Sequence, residues 1–110
     1  MKLEDAVRAV NKQIQMLSTV IQDTEAAIAA LKALKEKGSG LVPLGAGVFI
    51  PVEMKEEKAV VGVGANVLME KSMEEAVSIL EKRRESAKKA LEQAKKQHMA
   101  LMEQARRVSK

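Results

Sequence analysis

The chain has 110 residues with 19 basic and 15 acidic groups, no cysteine, no tryptophan or tyrosine, and a single phenylalanine. Without cysteine there is neither a disulfide framework nor thiolate chemistry, which fits a reducing compartment. No apolar run approaches the roughly 18 residues of a membrane span, and Met1–Asp5 opens with charge rather than a leader core. A cytoplasmic protein with no membrane partner is the expectation.

Over residues 1–37, apolar or tolerable residues fall at Leu3, Val7, Val10, Ile14, Leu17, Ile21, Thr24, Ile28 and Leu31, alternating steps of four and three. A 3.5-residue period sustained this long predicts a coiled-coil helix. Its stop is written in Lys37-Gly38-Ser39-Gly40, a lysine-rich last turn followed by helix-breaking glycines.

Residues 38–71 are β-branched and turn-forming, and they contain a repeat. The stretch Leu41-Val42-Pro43-Leu44-Gly45-Ala46-Gly47-Val48-Phe49-Ile50 aligns with Val60-Val61-Gly62-Val63-Gly64-Ala65-Asn66-Val67-Leu68-Met69. Each copy reads strand, tight turn, strand, with Gly45, Gly47, Gly64 and Asn66 as residue types that tolerate positive φ. Pro43 and Pro51 suit edge or terminal strand positions. Two isolated hairpins are marginal in water, so this segment is expected to add strands to a sheet shared between chains. Val42, Leu44, Val48, Phe49, Ile50, Val61, Val63, Val67 and Leu68 supply the faces buried there.

A capping box, Ser72-Met73-Glu74-Glu75, opens the last segment, residues 72–110. The seam resumes at Met73, Val77, Leu80, Arg84, Ala87, Leu91, Ala94, His98, Leu101, Ala105 and Val108. The two helices can pair antiparallel in one register over their whole length, Leu3 facing Val108, Val10 facing Leu101, Ile14 facing His98, and Leu31 facing Leu80. Arg84, opposite Ile28, is expected to snorkel outward along its apolar stem. Residues 76–110 carry ten basic and four acidic groups. Spacings such as Glu85 to Lys89, Glu92 to Lys96 and Glu103 to Arg107 read as ion pairs on a solvated face. A basic nucleic-acid binder is a third possibility, but no aromatic residues interleave the charges.

Catalytic and ligand motifs fail on inspection. A phosphate-binding loop ending in Lys71-Ser72 requires glycine at Ala65 and Glu70; a dinucleotide fingerprint requires it at Ile50 or Val67. His98 alone, without cysteine, makes no metal site. Catalytic, cofactor and metal residues are therefore none, and no enzyme is expected. Met1, Met99 and Met102 lie toward the free end of the helix pair with Leu3, Val7, Val10, Leu101 and Val108. They either shield the coil or form an adaptable apolar surface for other polypeptides.

The stretch Leu41 to Pro51, the turn at Val60 to Val67 and the helix entry Glu70-Lys71 together resemble the α-class subunits of archaeal-type prefoldin. The resemblance implies an α+β fold: a long antiparallel two-helix coiled coil with two β-hairpins at its closed end that join an intersubunit β-barrel. The whole chain, 1–110, then forms one such subunit. It implies an ATP-independent chaperone subunit, a holdase, that binds unfolded client proteins at coiled-coil tips and passes them to a group II chaperonin. Partners would be β-class prefoldin subunits, two α with four β, and not nucleic acid. A structural homo-oligomer or filament is the alternative.

Overall fold

The structure, a computed structural model, describes residues 2–108. The order is α1 (Leu3–Lys37), β1 (Ser39–Gly45), β2 (Val48–Glu53), β3 (Lys58–Gly64), β4 (Val67–Ser72) and α2 (Met73–Val108). Every α1 seam position named above is buried or half-buried, and so is every α2 seam position except Val108.

The chain divides into two compact units. One holds α1 up to Asp23 and α2 from Arg83. There the helices run antiparallel, with Leu3, Ala105 and Val108 lining one groove. Val10, Ile21, Ala87 and Ala94 are its most buried apolar residues. Small alanines let two helix backbones approach closely, so this interior is narrow and its larger side chains stay partly wet.

The other unit, Thr24–Lys82, holds the remaining helix turns and both hairpins. Leu31, Lys32 and Lys35 of α1 line a groove with Met73, Glu74 and Val77 of α2. Ile28, Met73 and Ala76 form its best-buried part, Ala76 with no exposure at all. Gly40 packs so closely on Leu34 that a Cβ there would lie 3.0 Å from the leucine methyl.

Helix ends are closed by local chemistry. Gly38 adopts φ +73°, and its N–H donates to the Leu34 carbonyl at 2.7 Å, a left-handed cap that ends α1. Its own carbonyl accepts from the Met54 N–H at 2.8 Å. At the start of α2, the Glu75 N–H donates to Ser72 Oγ at 3.1 Å, and that hydroxyl donates back to the Glu75 carboxylate. The predicted capping residue is in place.

β1 pairs with β2, and β3 with β4, as two separate two-stranded antiparallel sheets. The hairpins repeat each other in detail at the offset of the sequence repeat. Ser39↔Glu53 matches Lys58↔Ser72, and both ladders bulge one step before the turn, at Pro43/Gly45 and Gly62/Gly64. The turns run at positive φ through Gly45 (97°), Ala46 (54°) and Gly47 (77°), and through Gly64 (108°), Ala65 (49°) and Asn66 (62°). The central pairs thus have the sign of φ that a two-residue type I′ turn demands.

Nothing lies within 4 Å of a Cβ built on Gly38, so substitution there meets only backbone strain at φ +73°. Gly38→Ala is expected to destabilise the chain by about 1 kcal/mol, measured as a lower urea midpoint with an unchanged slope.

Candidate functional site

Two surfaces carry the candidate residues, one in each unit. On the hairpins the apolar side chains face solvent. Leu44 is 61% exposed, Phe49 56%, Val67 49% and Leu68 69%, with Val42, Val48, Ile50 and Val63 also exposed. Large apolar groups scattered singly are ordinary, but a cluster this dense is the kind that marks an interaction surface. Val61 departs from its expected place. At 8% exposure it is packed inside its own chain, since alternation along β3 turns it to the face opposite Val60.

The sequence reading passed over Leu41 (63% exposed), Val60 (67%) and Met69 (44%). All three lie in the aligned repeat, beside the hairpin residues expected to be covered. A two-stranded hairpin leaves most of both faces open.

In the other unit, Met99 and Val108 are 71% and 73% exposed and Met102 is 44% exposed, while Leu3, Val7 and Leu101 are half-buried. A groove of about 440 Å³ is lined by Lys2, Leu3, Glu4, Ala105 and Val108. A second, lined by Leu3, Glu4, Val7, Arg8 and Ala105, lies beside it. Val10 does not reach this surface, because at 5% exposure it is held in the helix–helix seam. Met1 lies outside the described residues. Met16 (62%) and Val20 (46%) are exposed on α1 one position before the seam, a site the 3.5-residue template skips.

The electrostatics are those of a solvated coil. Glu103 pairs with Arg106 at 3.6 Å rather than with Arg107, and Glu85 lies 3.9 Å from Arg84 rather than pairing with Lys89. Among the described residues Glu92 and Lys96 form no ion pair, which corrects the spacing-based expectation. Long exposed side chains gain little from pairing in water and lose rotamer freedom by it. Arg84 is half-buried, and its Nε, expected to reach outward along the stem, is covered and donates no hydrogen bond, with the Glu85 carboxylate 3.9 Å away. His98 is half-buried. No cluster of metal-ligating side chains occurs among the described residues, and no helix there is long and apolar enough to cross a membrane.

Paired long helices joined through two β-hairpins define the class of molecule, and a family model described as Prefoldin subunit matches residues 3–110. The chain belongs to the prefoldin family. It is similar to Prefoldin subunit alpha of Thermofilum pendens, 38% identical over 82 residues, which are 71% of this chain and 64% of that one. Prefoldin subunit alpha of Methanosphaera stadtmanae is 36% identical over 81 residues, 72% of this chain and 59% of the relative. The match to Prefoldin subunit alpha of Methanococcus vannielii, at 33% identity, covers 49% of that protein. The matched part of this chain therefore spans between half and two thirds of these relatives. Among solved structures, filamentous PFD from Methanocaldococcus jannaschii aligns with TM-score 0.61 and 27% identity, over 94% of this chain and 95% of that one.

One titration is set by geometry. The Lys35 ammonium donates to Glu74, and this bond, with the Glu74 backbone N–H and the lysine charge, holds that carboxyl below its ordinary 4.5. A depressed carboxyl pKa stabilises the fold above the unfolded value, and that contribution disappears as pH falls through the folded value. Glu74→Gln is expected to flatten the loss of stability below pH 4.5 slightly, the pair being exposed, as read by urea unfolding at stepped pH.

Proposed function

We propose that this chain is a subunit of an ATP-independent prefoldin-type chaperone that assembles through its hairpins and holds unfolded polypeptides on the exposed apolar residues of its paired helix ends. The observation that carries this is the exposure of Leu44, Val48, Phe49, Ile50, Val63, Val67 and Leu68 on hairpins that share no sheet within the chain. Such a surface is stable in water only when covered. Strands of other prefoldin subunits, β-class partners in a six-chain particle of two α and four β, supply the cover and close a barrel.

Client holding rests on Met99, Met102, Leu101 and Val108 with Leu3 and Val7. Unbranched thioether side chains adapt to many sequences, and the half-buried Leu3, Val7 and Leu101 add area when the helix ends fray. Each subunit binds weakly, and several in one particle raise the effective concentration of sites. The chemistry requires no nucleotide, metal or covalent step. Delivery to a group II chaperonin, in the cytoplasm, completes this reading.

A second reading is a homo-oligomeric filament, favoured by the similarity to filamentous PFD. Light scattering on the purified chain, alone and mixed with a β-class subunit, separates the two. One discrete six-chain particle on mixing supports the heteromeric chaperone; large particles indifferent to the partner support the filament.

Two substitutions test the surfaces separately. Phe49→Asp places a charge where an apolar cover is required and is expected to shift the assembly to monomer; an unchanged particle mass removes Phe49 from the interface. Leu101→Ser with Met102→Ser is expected to weaken suppression of client aggregation several-fold while particle mass stays the same. Equal suppression by this variant would place the client surface elsewhere.

A further inference from the structure

The two units differ in the sign of their charge. Thr24–Lys82 holds nine acidic and seven basic residues, whereas residues 2–23 and 83–108 together hold eleven basic and six acidic ones. That excess lies on α2. Residues 83–108 carry eight basic groups against three acidic ones, while residues 2–23 of α1 are balanced at three each. Two of the three α2 acids lie beside arginines, Glu85 at 3.9 Å from Arg84 and Glu103 at 3.6 Å from Arg106.

The lysines have no such neighbours. Lys88, Lys89, Lys95 and Lys96 are all exposed, and among the described residues none of them forms an ion pair. Glu92, between the two lysine pairs, forms none either. The pairs stand seven residues apart on one face of α2, about 10.5 Å along its axis. Four ammonium groups around one carboxylate keep a positive potential along this face. Residues three and four apart are neighbours on a helix surface, so Lys95 and Lys96 adjoin the exposed Met99. Met102, also exposed, continues the stripe of Lys88 and Lys95 at the same interval of seven.

A ligand that fits both parts of this face carries carboxylates and apolar side chains together. An extended polypeptide advances about 3.4 Å per residue, so its carboxylates three residues apart reach successive lysine pairs. Lysine, a flexible point charge, suits acids at irregular spacing better than the fixed fork of arginine. Single-stranded nucleic acid fits less well, because bases need aromatic platforms and the only phenylalanine, Phe49, lies in the other unit. We propose that the face of Lys88, Lys89, Lys95 and Lys96 selects acidic unfolded polypeptides as clients, their apolar residues meeting Met99 and Met102 while their carboxylates run along the lysine pairs. This rests on the client-holding reading above and names the class of client.

Two synthetic unfolded polypeptides of one apolar pattern, with glutamate or with lysine at every charged position, test the selection on the purified chain alone. Fluorescence anisotropy is expected to show roughly tenfold tighter binding of the glutamate polypeptide at about 50 mM salt. At about 500 mM, where screening acts within a few ångströms, the ratio is expected to approach one. Lys88→Gln, Lys89→Gln, Lys95→Gln and Lys96→Gln together keep a good helix former at each position, so helix content by circular dichroism is expected to stay the same. This variant is expected to lose the preference while binding the lysine polypeptide at least as tightly as the unsubstituted chain does. Equal binding of both polypeptides by the unsubstituted chain overturns the selection and leaves client holding intact. A preference that persists in the variant also overturns it, since other residues then select. A chain that binds neither polypeptide at either salt sinks the client-holding reading and this one together. Tighter binding of an oligouridylate than of the glutamate polypeptide assigns the face to nucleic acid and overturns the proposal.

Discussion

A two-stranded hairpin has no interior, and this constraint governs the molecule. Each ladder satisfies one row of backbone groups on each strand and leaves the other row, and most of both faces, to whatever lies outside. The chain places its only phenylalanine in that position, with Val42, Val48, Ile50, Val60, Val63 and Val67, Phe49 being 56% exposed. Apolar burial of the usual kind is then possible only between chains, which is why the assembly reading follows from the fold rather than from any one residue.

The helices solve their own burial problem differently. Their seam alternates larger side chains such as Val10, Ile21 and Ile28 with Thr24, Ala87 and Ala94, so the contact is a stripe and not a core. Met73 and Ala76 are the most enclosed of the described residues, where α2 begins within the unit that holds the hairpins. A stripe tolerates irregularities that a globular core rejects. Arg84 sits in it with a covered Nε that has no hydrogen-bond partner, at a cost borne by the apolar contacts of its stem. An interface so narrow leaves Met99 and Met102 in water, as the proposed client surface requires.

The repeat adds an asymmetry to this plan. Two copies of one strand–turn–strand unit share the φ angles of their turns to within about 15°, yet the first carries Pro43 and Pro51 where the second carries Gly62 and Glu70.

Much of this was legible in the residues themselves. The 3.5-residue period marked the helices, and nearly every seam position proved buried or half-buried because helix geometry ties spacing to face. Gly38, Ser72 and the two glycine turns placed the element boundaries, since each provides a conformation or a donor partner that the backbone needs locally. The offset of the repeat carried over to strand ends, bulge and turn alike. What the sequence could not decide was set by neighbours distant along the chain. Val61 went inside while Val60 stayed out, Val10 was drawn into the seam away from the end surface, and both hairpin faces remained open. Periodicity and caps act within a few residues and are written in order along the chain. Which face finds a cover depends on three-dimensional packing, and that appears only once the helices and hairpins are assembled.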